Sequence, residues 1–331
     1  MESISYRHKN VCVGVNMIYI NDNFASELLE NSYKDLISLL EITVKLKKEK
    51  KVHQPLKPYL KFPEKYNRII AMPAYVGGDI DICGIKWIAS FPKNLEKNIR
   101  RANCVTVLNS VETGEPISII NSPELSIYRT ASVSGMILKK YLSDSASKNV
   151  VIGIIGYGPI GQKHEDMCYK LFGDKIKKIL LYDIKKIDKV SGEKSFICNA
   201  WRELYDEADV LITCRTASEP YLDCSPKKGK LTLNVSLRDF DIRFIDSAET
   251  VCLIDDWEEV NRENTNIENL SKENRLSKSD CIDIYDYLYE KIDVKDKALF
   301  FNPMGMAIFD VVVGKYMYDK AAIKTRGENY E

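Results

Sequence analysis

Gly156-Tyr157-Gly158-Pro159-Ile160-Gly161 sets three glycines at G-x-G-x-x-G spacing, directly after the apolar run Val150 to Ile155. Behind it Ile160, His164, Met167, Cys168, Leu171 and Phe172 recur on one helical face, with Gly173 closing the stretch. Strand, tight turn and helix in that order leave few folds open. Gly156 permits the turn, Gly158 lets a pyrophosphate approach the backbone, and Gly161 lets helix and strand pack closely. A diphosphate there meets free amides and the positive end of the helix dipole. A second strand ends in Asp183, about 20 residues past the turn, where a carboxylate holds ribose hydroxyls. In that setting Gly156, Tyr157, Gly158, Pro159, Ile160, Gly161 and Asp183 are assigned to a dinucleotide. Asp183 favours NAD over NADP because a carboxylate repels the extra phosphate, although Lys185 and Lys186 pull the other way.

The rest of the chain divides around this unit. From Val150 onward, short apolar runs alternate with helical stretches, at Ile179 to Tyr182, Val210 to Thr213, Leu231 to Val235, Val251 to Ile254 and Ala298 to Phe301. Such runs predict a parallel sheet covered on both faces. Before Asn121 the pattern differs. A strand at Met17 to Ile20 and two helices precede strand-like runs at Pro55 to Lys61, Arg68 to Tyr75, Ile82 to Ala89, Cys104 to Leu108 and Pro116 to Ile120. Strands that follow one another without helices predict a mostly antiparallel sheet. Ser122 and Pro123 open a helix with Ile127, Ala131, Ile137, Leu138 and Tyr141 on one buried face. A last helix, Met304 to Tyr318, returns to the first unit. The fold class is therefore α/β, a Rossmann-type nucleotide domain over 122–303 plus an antiparallel α+β domain over 1–121 and 304–331.

Composition narrows the partners. Lys+Arg and Asp+Glu are both 48, so no basic field draws nucleic acid or an anionic membrane. No stretch is long and apolar enough to span a bilayer, and Gly14 and Asn16 break the run from Val11 to Ile20 that a secretory signal would need. Nine cysteines are scattered without a C-x-x-C pair and only three histidines occur, which predicts a cytoplasmic chain with reduced thiols and no metal site.

Any pull on an anionic small molecule must then come from a few placed cations. Lys86 lies inside the apolar run Ile82 to Ile88. Burying an ammonium is costly unless it meets a carboxylate or a cleft, yet the strand pattern equally allows an outward position. Lys57 opens a strand-like run, Arg100 and Arg101 follow Pro92-Lys93-Asn94, and Arg129 falls in the first turns of the helix at the junction. Together they predict a substrate rich in carboxylates. Asp239, beyond the run Leu231 to Val235, is placed as a general base or an amine anchor, although its spacing alone better fits an N-cap for a helix from Asp241 to Ala248.

With these residues the sequence resembles the ornithine cyclodeaminase/mu-crystallin family, from about Gly14 to Tyr318. The resemblance rests on Gly84-Ile85-Lys86-Trp87, Pro92-x-Asn94, Ser126 to Ser134, the glycine turn and Gly305-Met306-Ala307. The strings QPLKPYLK at Gln54, RIIAMP at Arg68, GIKWI at Gly84 and NPMGMAI at Asn302 are similar to one branch, which makes 2,3-diaminopropionate from N-(2-amino-2-carboxyethyl)-L-glutamate. The resemblance implies an NAD-dependent homodimer, the antiparallel unit serving both substrate binding and dimerisation. It implies substrate binding by Lys57, Lys86, Arg101 and Arg129, and catalysis by Asp239 and Lys86. Thr213, Ser236 and Arg243 join the cofactor-binding positions. Leu237 and Arg238 stand where cyclodeaminases carry two glycines, and Phe309 replaces an acidic residue common before Asp310. The first departure weakens ornithine cyclisation and suits a more acidic substrate in the synthesis of siderophores or peptide antibiotics. Two other activities stay open: ornithine cyclodeaminase itself, and a mu-crystallin-like protein that holds NAD(P)H without turnover.

Overall fold

Alternation of apolar and polar residues builds the first sheet. A computed structural model describes residues 17–64, 66–144, 149–215, 219–294 and 296–327, and Gly14 with the rest of 1–16 lies outside them. In chain order the first unit contains β1 (Ile18–Ile20), α1 (Asp22–Leu29), α2 (Tyr33–Lys48), β2 (Val52–His53), β3 (Tyr59–Lys61), β4 (Arg68–Val76), β5 (Ile82–Ser90), β6 (Ala102–Asn109) and β7 (Pro116–Ile120). The strands lie in the order β1-β7-β6-β5-β4-β2, with β3 beside β4, and all pairs are antiparallel except β1 with β7. Register aligns Met72, Lys86, Thr106, Ile120 and Ile20 in one buried row across five strands. Lys86 therefore points inward. The run expected from Pro55 forms a strand only from Tyr59. At Lys57 the N–H donates to Glu259 and the carbonyl accepts from Arg262, so neither joins a ladder.

Helix α3 (Glu124–Asp144) joins the two sheets, its start capped by Ser122 Oγ on the Glu124 N–H at 3.1 Å. It is buried on every side from Ala131 to Leu138, not on a single face, because it packs against both α2 and α4 (Pro159–Phe172). Ile127 is only half-buried. The second unit continues with β8 (Val150–Ile155), α4, β9 (Ile176–Tyr182), β10 (Ser195–Ile197), α5 (Trp201–Glu207), β11 (Val210–Thr213) and β12 (Leu231–Asn234). It closes with α6 (Ile242–Ile245), β13 (Thr250–Ile254), α7 (Trp257–Val260), α8 (Asn266–Lys272), β14 (Cys281–Asp283), α9 (Ile284–Tyr289) and β15 (Ala298–Phe301). The strand order is β10-β9-β8-β11-β12-β15-β13-β14, parallel throughout. Successive residues of β8 serve opposite cores, Ile152 and Ile154 facing one and Val151 and Ile155 the other. This is the Rossmann-type sheet, and its order reverses between β8 and β11, the place where such folds bind ligands.

Helix α10 (Ala307–Gly327) crosses back onto β4, β5, α2 and α3. It starts three residues later than expected, because Gly305 adopts φ +80° and the amides of Met304 and Gly305 donate to Asp255. One buried apolar cluster runs from Leu36 of α2 through Ile137 of α3 to Ile154 of β8 and Val312 of α10, so the two sheets share a core.

Candidate active site

The glycine turn leaves β8 at the point where the sheet order reverses. A side chain at Gly161 would stand 2.1 Å from the Gly156 carbonyl, and Gly156 itself holds φ +93° against the backbone of Cys214 and Arg215. The protein's own packing requires both glycines. Gly158 is different, for its φ is −76° and an added Cβ would meet nothing within 4 Å. Glycine there keeps space open for a group that is not protein, and the turn fits the pyrophosphate of a dinucleotide.

Asp183, just past β9, borders the same turn. Its Oδ2 accepts from the Tyr157 N–H at 2.6 Å and its Oδ1 from the Lys185 N–H at 2.8 Å. Backbone donors thus fix the carboxylate at the rim of a groove of about 360 Å³, lined also by Gly158, Gln162 and Ile187. Lys186 pairs with Asp188 at 2.9 Å on the exposed surface. Beneath the turn, the Tyr157 hydroxyl hydrogen-bonds Glu165, a fully buried carboxylate that also accepts from Ser195.

Further along the same edge, β11 and β12 end in Thr213 and Asn234. Thr213 Oγ1 lies 2.9 Å from Ser236 Oγ, and the Ser236 hydroxyl donates to Asp239 Oδ2. Tyr221 donates to the same oxygen at 3.3 Å, while Asp239 Oδ1 is buried without a hydrogen-bond partner. Burial pushes the Asp239 carboxyl above the ordinary carboxylate range, against the pull of Ser236, Thr213 and Arg215. The reading of Asp239 as an N-cap is overturned: Asp241 caps α6, accepting the Arg243 N–H at 2.9 Å. Phe240, packed 4.6 Å from Phe244 and 5.2 Å from Phe300 between ring centroids, pins the turn from below. Leu237 holds φ +73°, a left-handed conformation that glycine adopts without strain.

A polar seam continues from Asn234 to Asn302 at 2.6 Å and on to the loop before α10. There Lys57 Nζ donates to the Gly305 carbonyl at 2.6 Å and pairs with Glu259 at 3.4 Å. Lys86 Nζ stands 2.7 Å from Asp310 Oδ1, and Arg129 grips the same carboxylate through Nε at 2.8 Å and Nη2 at 3.4 Å. Asp310 is wholly buried. Burial alone would raise its carboxyl, but Arg129 and Lys86 outweigh that and hold it below its usual range. Burial pushes Lys86 down to about 8, opposed by Asp310 and helped by Arg129. Burial likewise lowers Lys57 against the attraction of Glu259 and Asp255. A side chain at Gly305 would come within 2.7 Å of Arg129 Nη1, so glycine there lets the guanidinium pass beneath the loop.

The structure brings together the glycine turn, Asp183, Thr213, Ser236 and Asp239 along one sheet edge, and Lys57, Lys86 and Arg129 around the loop before α10. Two expectations shift. Lys57, 3% exposed, bonds the Gly305 carbonyl and Glu259, so it also supports that loop. Arg243 is not drawn in, since its exposed side chain bonds Asp241 on its own turn at 2.8 and 3.0 Å. Arg101 lies apart from Lys86, donating to Ser90 Oγ at 3.0 Å. Sequence reasoning missed Asp310, Asp255 and Glu259. One signal was present: Asp310 is a lone acid inside the apolar run Ala307 to Val313.

The model of the ornithine cyclodeaminase/mu-crystallin family matches residues 23–325. An N-((2S)-2-amino-2-carboxyethyl)-L-glutamate dehydrogenase of Staphylococcus aureus is 32% identical over 326 residues, covering 92% of this chain and 95% of that protein. Among solved structures, Thermococcus litoralis Delta(1)-pyrroline-2-carboxylate reductase in complex with NADH and L-proline superposes with a TM-score of 0.82 at 22% identity, over 93% and 98% of the two chains. An archaeal alanine dehydrogenase dimer with bound NAD gives 0.73 at 22% identity, over 93% and 97%.

Proposed function

Because this chain belongs to the ornithine cyclodeaminase/mu-crystallin family, we propose that it is an NAD-dependent dehydrogenase that oxidises N-(2-amino-2-carboxyethyl)-L-glutamate and releases 2-oxoglutarate and L-2,3-diaminopropionate. The single observation that carries the chemistry is Asp239, a buried carboxyl of raised proton affinity whose Oδ1 has no hydrogen-bond partner among the described residues, at the strand ends beside the dinucleotide turn. The glycine turn and Asp183 would hold NAD, which would supply the hydride acceptor for the glutamyl Cα. Asp239 Oδ1 takes the amine proton, and the Ser236 and Thr213 hydroxyls hold the carboxylate in place. Lys86 and the free edge of Arg129 receive the α-carboxylate, with Asp310 fixing both cations. Lys57 and Asp255 hold the Gly305 loop over them. Water then adds to the substrate's C=N bond, and its cleavage gives the keto acid and the amine.

The outer face of the first sheet supports a homodimer. Pro73, Ile85, Val107, Ile119 and Tyr19 form one row across five strands, and Trp87 beside them is 41% exposed. A continuous apolar face of this kind is covered well by a second copy of the chain. The eight described cysteines are free thiols, which suits a place in the reducing cytoplasm.

The reaction is tested by incubating the protein with NAD and the carboxyethyl-glutamate. NADH and 2-oxoglutarate are expected to appear in equal amounts. Conversion of ornithine to proline and ammonia without net NADH would assign cyclodeaminase chemistry instead. NADH binding without turnover of either substrate would leave a mu-crystallin-like carrier.

A further inference from the structure

A second set of cations lies at the end of the first sheet. Register sets Arg68 opposite Ser90 and Ser90 opposite Ala102, so Arg101 adjoins both, and Arg101 Nη1 donates to Ser90 Oγ at 3.0 Å. On the other side Arg68 pairs in register with Lys61, which forms an ion pair with Glu263 at 3.2 Å. The Glu263 carbonyl accepts from Arg238 Nη2, which draws Arg238 from the turn after β12 to the same corner. Arg238 precedes Asp239 directly. Arg101 and Arg238 thus have a hydroxyl and a carbonyl as partners, both neutral. Arg68 Nε is buried with no hydrogen-bond partner, its guanidinium 5.8 Å from the Tyr59 ring.

Three half-buried guanidiniums without an ion-paired carboxylate among the described residues are unfavourable unless an anion completes them. Burial first, and then the charge of Arg68, lowers the proton affinity of both Arg101 and Arg238, although Glu263 and Asp239 act the other way on Arg238. The planar guanidinium fork matches a carboxylate. Resting on the reaction proposed above, we infer that Arg68, Arg101 and Arg238 form a subsite for the γ-carboxylate of the glutamyl half. Arg129 and Lys86 hold the α-carboxylate at the reacting carbon. Arg238, next to Asp239 in the chain, then makes the site selective for dicarboxylic over monocarboxylic chains.

The test is binding, without turnover, to the NADH-loaded protein. Calorimetry should show 2-oxoglutarate binding at least about tenfold more tightly than 2-oxobutyrate. Arg68→Met and Arg238→Met should each weaken 2-oxoglutarate by roughly 10- to 100-fold while leaving 2-oxobutyrate and NADH unchanged. Unchanged NADH binding also reports an intact fold, and Arg68→Lys, which keeps charge but not the fork, should recover only part of the loss. Equal affinities for the two keto acids, or a loss shared by both in the variants, overturns the subsite. Arg-dependent discrimination in a protein that does not oxidise the carboxyethyl-glutamate would keep the subsite and discard the reaction. Oxidation without discrimination would do the reverse.

Discussion

Around Asp310, three cations, Lys57, Lys86 and Arg129, are matched by three carboxylates, Asp255, Glu259 and Asp310. At the corner of the first sheet, Arg68, Arg101 and Arg238 have no such match among the described residues. Depth of burial points to the first group as the more chemical, because Lys86 is 1% exposed. Charge balance points the other way. Cations that the protein already pairs keep less of their charge for a substrate, and a cation left with neutral partners is where an outside anion gains most.

The largest effect expected from this contrast is on stability. Asp310→Asn leaves Lys86 and Arg129 buried beside each other without their common carboxylate, and should cost about 3–5 kcal/mol. Arg68→Met removes a cation that has no counter-charge and should cost about 1 kcal/mol or less. Urea unfolding of the two variants checks both values. Equal midpoints would dissolve the distinction between the groups.

A medium effect separates the groups by pH. Lys86 titrates at about 8, so it is a cation below that value and neutral above. Affinity for the α-carboxylate should fall as pH rises through 8, with KM climbing roughly tenfold by one unit higher, since each unit removes tenfold of the protonated form. Lys86→Arg should flatten that limb. The guanidinium group stays charged throughout, so the preference for 2-oxoglutarate over 2-oxobutyrate should not move over the same range. Linkage has the opposite sign for folding. Lys86 is depressed in the folded state, so the unfolded chain binds the proton more tightly, and its contribution to stability rises with pH between about 8 and 10.5.

The smallest effect concerns the turn itself. Leu237→Gly relieves a left-handed leucine at φ +73° but adds backbone freedom to the unfolded chain. A net gain of up to about 1 kcal/mol in thermal unfolding is expected, with Arg238 and its selectivity retained. A loss of stability would show that packing of the half-buried Leu237 side chain outweighs the strain.

The parallel sheet was legible because its logic is local. Each strand is a short apolar run, and parallel order places Gly156, Asp183, Thr213 and Ser236 at one edge without further information. β10 and β14 escaped notice because three residues give no period to read. Asp310 was hidden for another reason: its partner Arg129 lies 181 residues away, and helical period predicts burial but not counter-charge. Arg243, given to the cofactor by resemblance alone, instead bonds Asp241 on the turn that caps α6. Lys57 shows that a cation beside a site can serve the loop above it.

The crossing of α10 onto β4 and β5 also sets a timetable for biosynthesis. When the ribosome has made the first sheet, the inward face of β5 holds an ammonium without its carboxylate, and apolar rows of β4 and β5 lack their cover. Both wait until the strands of the second sheet have been synthesised and Asp310 emerges. The second sheet offers no earlier scaffold, for it pairs Ile152 with Val210 and Leu231 with Leu299, and parallel pairing of such distant stretches closes slowly. During that interval the nascent chain exposes an unfinished apolar face, so slowed translation upstream of Ala307 lengthens its dependence on chaperones.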